Sequence, residues 1–169
     1  AERGLRNRVL AALRAAHPYE EPAFDILELA EVDSELGLGR IGRLPGPVTA
    51  AEFVALAQRE LRGPWGVRAA GDPATVIEAV AVCGGAGDSL LGAAAAAGVD
   101  LYLTGDLRHH PADEAIRAGG PVLVDAGHWA TEFPWCRGAA DLLRGRAGIV
   151  AQVYPEPTDP FGMYCGPGL

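Results

Sequence analysis

The sequence predicts an α/β fold built on a mostly parallel sheet with flanking helices. In its second half, apolar runs of about five residues alternate with helical segments of about ten residues, the pattern of crossover units between parallel strands. Two of those helical segments close on Gly98 and Gly119, and glycine is suited to ending a helix. The length of 169 residues fits one ordinary domain, or one domain plus a piece of another.

The first part of the chain reads as a helix followed by a strand. Leucine and valine recur at helical spacing over residues 3–16, and Pro18 disfavours helix in the residue before it, so the helix should end at His17. Residues 23–29 predict a strand. Because the chain begins with Ala1 and leads directly into a helix, we expect it to be a piece of a longer protein. The glycine- and proline-rich run 37–46 marks a domain boundary.

The remaining elements follow from local patterns. Thr49 and Glu52 form a capping-box pattern that opens a helix running to Leu61. The tail from Pro155 to Leu169 is rich in proline and glycine and predicts irregular structure. Weak or short strands are expected at 38–44 and 67–70, strands near 79–83, 100–104, 121–125 and 148–153, and helices over 88–97, over 111–118 and after His128.

Composition excludes several classes of partner. The net charge of −8 argues against binding to nucleic acid and to anionic membranes, because no basic stripe is available to replace counterions. No run reaches the roughly 18 apolar residues of a membrane span, and no signal peptide opens the chain. Three scattered cysteines without a disulfide framework indicate a reducing compartment, so we expect a cytoplasmic protein.

Polar residues collect where the predicted strands end. Ligands bind beyond the carboxyl ends of strands in such sheets, and three loops there carry most of the Asp, His and Glu candidates of this half. Asp106 and His110 follow one strand, and His128 and Glu132 follow the next. The latter two are four residues apart, on one face of a helix, and can share a divalent cation or let the carboxylate orient the ring. Alternatively, His128 caps the helix and Glu132 favours its positive end.

Two further motifs have competing interpretations. The segment Gly84–Asp88 resembles a phosphate cradle only loosely, and we favour tight-turn glycines with Asp88 as a helix N-cap. Pro111 is suited to the first helical turn, which places His109 and His110 at or before the cap, either reaching into the cleft or forming a capping or surface pair.

Six motifs occur in order along nearly the whole chain. Together they resemble the NIF-three-like family, whose members are often labelled type-2 GTP cyclohydrolase I homologues. The motifs are His17-Pro-Tyr-Glu-Glu-Pro-Ala-Phe-Asp25, the Gly-Leu-Gly-Arg-Ile-Gly run at 37–42, Val82-Cys-Gly-Gly-Ala-Gly87, Thr104-Gly-Asp106 with His110, Asp125-Ala-Gly-His128 with Glu132, and Thr158-Asp-Pro-Phe161.

The resemblance implies a fold in two similar halves around a dinuclear divalent-metal site. Many members carry a small α+β domain, of the ferredoxin or PII-like type, inserted between the halves. Residues 1–36 would then be the end of that insert, and residues 37–169 the C-terminal half of the metal-binding domain.

Metal ligands are also implied by the resemblance. His128 and Glu132 match the His and Glu of the Gly-His-x-x-x-Glu motif, whereas the His-His pair and the Asp supplied by the other half have no counterpart here. His109-His110-Pro111 is similar to that His-His pair in its letters, but its position matches the Thr-Gly-Asp-x-x-x-His motif, so it takes no ligand role. Asp106 and His110 become near-site groups and the candidates for catalytic proton transfer.

The implied activity is hydrolysis of a small substrate, with nucleotide-like molecules among the candidates, by two divalent ions (zinc, manganese or iron) per complete site. The alternative is a non-catalytic metal-binding or regulatory scaffold. For full-length family members the resemblance implies a homo-oligomer, a ring-shaped hexamer.

Overall fold

A computed structural model describes residues 3–27, 37–61, 63 and 65–163. The chain divides into two compact units, Ala1–Glu35 and Leu36–Leu169. In the first, a 3-10 turn at Arg3–Leu5 leads into helix α1, Arg6–Ala16, which confirms the predicted helix. The predicted strand at 23–29 is wrong over residues 23–27, which lie in neither helix nor strand, and residues 28 and 29 lie outside the described part. An extended segment needs a partner strand to hold its backbone groups, and the described residues of this unit include no strand.

The second unit is built on a five-stranded sheet, which confirms the α/β fold with a mostly parallel core. The three central strands are parallel, and an antiparallel strand borders each side, in the order β1-β3-β4-β5-β2. The strands are β1 Gly39–Thr49, β2 Arg68–Ala70, β3 Val76–Ala86, β4 Leu101–Gly105 and β5 Val122–Asp125.

Helices cover the sheet. Thr49 caps α2 and receives a hydrogen bond from the Glu52 amide, while Glu52 bonds back to the Thr49 amide, so the predicted capping box is confirmed. A 3-10 turn at Asp88–Leu90 precedes α3. No helix among the described residues is long and apolar enough to cross a membrane. The helices of this unit are α2 Ala50–Glu60, α3 Leu91–Ala96, α4 His109–Arg117 and α5 His128–Ala147.

The predicted strand at 148–153 is wrong. α5 ends at Ala147, its C-cap Gly148 has a left-handed backbone, and the described residues after it join neither helix nor strand. Ile149 and Val150 are exposed, and Ala151 accepts a hydrogen bond from Arg144 of α5. None of the strands in the described sheet pairs with this apolar run, so its backbone groups have no strand partner there.

Two apolar cores lie on the two faces of the sheet. Phe53 and Ala57 of α2 pack against one face with Ile77, Leu101 and Val124. On the other face, Leu91 of α3 packs with Tyr102 and Leu123. Neighbouring residues of β4 and β5 therefore point to opposite cores, and both strands are buried throughout. This burial fixes the strands whose carboxyl ends carry the candidate site.

Candidate metal centre

Three of the residues singled out from sequence come together at the carboxyl edge of the sheet. Asp106 directly follows β4, while His128 and Glu132 lie in the first turns of α5, which follows β5. Nδ1 of His128 is 2.7 Å from Oδ2 of Asp106, and Nε2 is 3.3 Å from Oε1 of Glu132. The expected juxtaposition of Asp106 and His128 on one edge is confirmed.

The imidazole of His128 lies between two carboxylates. With the ring proton on Nδ1 donated to Asp106, Nε2 keeps its lone pair on the side of Glu132. The hydrogen bond to Asp106, assisted by the charges of Glu132 and Asp106, raises the pKa of His128, and partial burial opposes that shift. The side chain is 47% exposed, so a solute can reach the ring.

This arrangement fits one side of a divalent-metal site. Two ligands of one ion, each bound at roughly 2.0–2.2 Å and separated by an angle of about 90–110°, lie about 2.8–3.6 Å apart. The distance of 3.3 Å from Nε2 to Oε1 falls in that range. A carboxylate on the other ring nitrogen is the usual partner of a metal-binding histidine. Among the described residues, however, no group of three or more His, Cys, Asp or Glu side chains could hold an ion by itself.

The backbone at this edge allows a close approach of β3, β4 and α5. Asp106 has a left-handed backbone, with φ of 53°, which aspartate tolerates better than most residues. Gly85 is also left-handed, and a Cβ there would lie 2.5 Å from Oε1 of Glu132. A Cβ on Gly105 would lie 2.7 Å from the backbone of Gly127. The side chains of the site therefore depend on small residues beneath them.

The glycine run contributes through close packing rather than through tight turns. Gly84 and Gly85 belong to the end of β3, and the Gly85 amide donates to the hydroxyl of Thr131 in α5. The expectation that Asp88 caps a helix is wrong: Gly87 occupies that position without a side-chain hydrogen bond, and the Asp88 carboxylate pairs with Arg108. The Asp88 carboxylate therefore pairs with the Arg108 guanidinium and does not accept a hydrogen bond as a helix N-cap.

His109 and His110 are not at or before the cap of α4, as expected, but form its first turn, with Arg108 as the N-cap. The amides of the first helical turn have no partner within the helix, so proline, which lacks an amide hydrogen, is tolerated throughout that turn and not only at its first position. Pro111 lies in this turn. The two rings pack edge to face at 5.2 Å, and His109 lines a cavity of about 310 Å³ between α4, β2 and β5. In the described structure no hydrogen bond joins either ring to Asp106, His128 or Glu132, and a catalytic role for His110 stays a prediction.

Sequence reasoning missed an ion pair behind the site, in which the carboxylate is buried and the arginine is largely exposed. Asp125, at the end of β5, is buried and accepts two hydrogen bonds from Arg68 of β2, at 2.7 and 3.0 Å. It also accepts from the amides of Leu107 and Gly127, the neighbours of Asp106 and His128. The sequence does contain one signal for this pair, because Asp125 is a carboxylate at the end of an otherwise apolar strand.

Comparison with known proteins places the chain among curated relatives and solved structures. It is 55% identical to the "GTP cyclohydrolase 1 type 2 homolog" of Mycobacterium tuberculosis over 161 residues, which cover 94% of this chain and 42% of the relative. The Streptomyces coelicolor protein of the same description is 51% identical over 139 residues, covering 78% of this chain and 48% of that protein. The chain thus spans less than half the length of these relatives.

Solved structures agree with this placement. A Staphylococcus aureus protein superposes with a TM-score of 0.70 at 29% identity, over 96% of this chain and 53% of that one. A Bacillus cereus protein described as related to NIF3 gives 0.69 at 31% identity, over 97% and 46%. The sequence profile described as Duf34/NIF3 (NGG1p interacting factor 3) matches residues 3–160. The chain therefore belongs to the Duf34/NIF3 family.

Proposed function

We propose that this chain supplies one side of a divalent-metal centre, with His128 and Glu132 as ligands, and that the complete protein is a metal-dependent hydrolase of small molecules. The observation that supports the proposal is the imidazole of His128 held between the carboxylates of Asp106 and Glu132 at 2.7 and 3.3 Å. The curated relatives carry a name that refers to a nucleotide-processing enzyme, which makes nucleotide-like molecules the first substrates to test.

The donor set favours an ion that accepts both nitrogen and oxygen. Imidazole suits zinc and iron, and carboxylate oxygen also suits manganese. Tight binding of such ions usually needs three or more protein ligands, and this chain offers two. In the complete protein, the remaining ligands of this ion, and the ligands of a second ion, would be supplied by residues outside these 169. The curated relatives are more than twice as long as this chain, which leaves room for such residues.

Each side chain has a definite task in this proposal. Asp106 accepts a hydrogen bond from the Nδ1–H of His128, which fixes the tautomer and leaves Nε2 available as a ligand. Glu132, one helical turn further, supplies an oxygen on the same side. A divalent ion bound there would polarise a phosphoryl or carbonyl oxygen and lower the pKa of a water molecule. The half-exposed edge leaves room for a substrate to approach.

The experiment is a turnover screen of the complete Mycobacterium tuberculosis relative, loaded with zinc, manganese or iron, against nucleoside triphosphates and simple phosphate esters. We expect metal-dependent hydrolysis of at least one compound, abolished by alanine at the position aligned with His128. An alanine at the position aligned with His109 is the matched control and should retain activity. Turnover that persists in metal-free protein would refute the proposal that hydrolysis depends on the metal.

A second candidate, a non-catalytic scaffold that assembles into rings, is favoured by the exposed apolar surface of the second unit. Trp135 and Val150 are 76% and 89% exposed, and Leu142 is also exposed. Contiguous patches of large apolar side chains on a surface are typical of contact sites between proteins. A metal-loaded protein that forms a stable ring and turns over none of the screened compounds would favour this candidate.

A further inference from the structure

We propose that Asp125 and Arg68 form a positioning pair, which we call the clamp, that sets the geometry between Asp106 and His128. The clamp does not touch a ligand itself. It holds the two backbone segments from which the site residues project. Its importance for metal binding rests on the proposed function above, whereas its effect on the orientation of the His128 ring does not.

One carboxylate joins the two loops of the site. Oδ2 of Asp125 accepts a hydrogen bond of 3.0 Å from the amide of Leu107, the residue after Asp106. Oδ1 accepts one of 3.0 Å from the amide of Gly127, the residue before His128. Asp125 is only 5% exposed, so these bonds are shielded from competition with water. A shift of either loop relative to the other must therefore stretch a buried hydrogen bond.

Arg68 fixes the same loop from the other side. It lies opposite Asp125 in the antiparallel pairing of β2 with β5. Its Nη2 donates to the Leu107 carbonyl at 2.6 Å as well as to Asp125, so both peptide groups of Leu107 are held. This matters because Asp106, one residue earlier, has a left-handed backbone, which is less favourable than a right-handed one for residues other than glycine. The clamp opposes relaxation of Asp106 to a more common conformation.

The clamp needs a carboxylate rather than an amide. Asp125 receives four hydrogen bonds from three groups and donates none. An asparagine would present an NH₂ group to one of these donors, and at least one contact would be lost. If the NH₂ group faced Gly127, the α5 side would be released, and if it faced Leu107 and Arg68, the Asp106 side would be released.

The competing explanation is that the ion pair only stabilises the fold. Asp100 separates the two possibilities, because it is a similar carboxylate at the opposite end of the same sheet. It accepts hydrogen bonds from the amides of Glu78 and Ala79, at 2.9 and 2.8 Å, and contacts neither loop of the site. Asp100→Asn should therefore weaken the fold without altering the site, which makes it the matched control for Asp125→Asn.

The test is nitrogen-15 NMR of the histidine side chains in the metal-free chain, at one pH high enough to keep the rings neutral. It compares wild type, Asp125→Asn, Arg68→Met and Asp100→Asn, with thermal melting of each. In the wild type and in Asp100→Asn, we expect His128 in the tautomer protonated at Nδ1. In both clamp variants we expect a mixture of tautomers. Zinc titration of the same four proteins should show affinity lowered at least about tenfold in the clamp variants and unchanged in the control.

Opposite results would overturn the proposal. A folded Asp125→Asn chain with the wild-type pattern for His128 would show that the clamp does not position the ring. So would Asp100→Asn changing that pattern as much as Asp125→Asn does. If Asp125→Asn fails to fold, Arg68→Met decides, because in that variant Asp125 keeps the hydrogen bonds that it accepts from the amides of Leu107 and Gly127. If the wild type binds no zinc, the metal function fails while the tautomer comparison still decides the clamp.

Discussion

A methyl group added at Gly105 tests how closely the carboxyl end of β4 must approach the start of α5. In Gly105→Ala, the new Cβ would lie 2.7 Å from the carbonyl carbon and oxygen of Gly127 and 2.9 Å from the amide nitrogen of His128. All three are backbone atoms, so no side chain can rotate away to make room. The strand end and the helix start must move apart.

The required movement is large enough to disturb the site. Ordinary contact begins at 3.4 Å, so the 2.7 Å contacts must lengthen by about 0.7 Å. The same displacement along the line from Nδ1 of His128 to Oδ2 of Asp106 would stretch that 2.7 Å hydrogen bond to about 3.4 Å, outside the usual range. Overpacking of this kind typically costs about 1–3 kcal/mol, and a domain of this size loses about 3 °C of melting temperature per kcal/mol.

Urea denaturation followed by circular dichroism measures the cost, and Gly138→Ala is the control. A Cβ at Gly138, inside α5, meets nothing within 4 Å, and alanine should stabilise the helix there by about 0.5–1 kcal/mol. We expect the two substitutions to change the free energy of unfolding in opposite directions. A Gly105→Ala chain that is as stable as wild type, and whose NMR signal for the Nδ1 proton between His128 and Asp106 is unchanged, would refute the packing argument.

Three further predictions concern pH, capping and association. Because the hydrogen bond to Asp106 is the main cause of the raised His128 pKa, Asp106→Asn should lower that pKa toward 6.5 in an NMR titration. The stabilisation from this pair is present below pH 6.5 and is lost as the pH rises through the folded-state pKa. The variant should therefore lose more stability at pH 5.5 than at pH 9, and equal losses would contradict this. Thr49→Ala removes the side-chain cap of α2 and should cost about 1 kcal/mol in urea denaturation, whereas Thr158→Ala, on an exposed residue, should cost less than about 0.5. The chain should self-associate in light scattering through its exposed apolar surface, and Trp135→Ser should reduce the association; a monodisperse wild-type monomer would count against this.

Local sequence patterns were sufficient where one strand's own residues decide the outcome. The apolar runs of β4 and β5 are buried on both sides, and such a composition is typical of a central parallel strand. The site edge followed directly, since the ends of parallel strands meet. The run at 148–153 is equally apolar, but a strand also needs a neighbour with free backbone groups, and composition does not reveal one.

The clamp could not be predicted from the sequence, for a related reason. Arg68 and Asp125 are 57 residues apart, and their contact depends on β2 pairing with β5 rather than with β3, its neighbour in the chain. Nothing in the three residues Arg68–Ala70 specifies that partner. The position of His109 and His110 failed for a smaller reason: Pro111 signals a first turn but does not say which residue of the turn it occupies.

The central claim is that His128 and Glu132, and not His109, hold a divalent ion. The most direct measurement is metal content by elemental analysis after dialysis, for the Mycobacterium tuberculosis relative and its alanine variants at the positions aligned with these three residues. We predict a loaded wild type, metal lost on substitution at the first two positions and retained at the third, with the 169-residue chain alone binding weakly. Metal lost only on substitution at the position aligned with His109 would contradict the account.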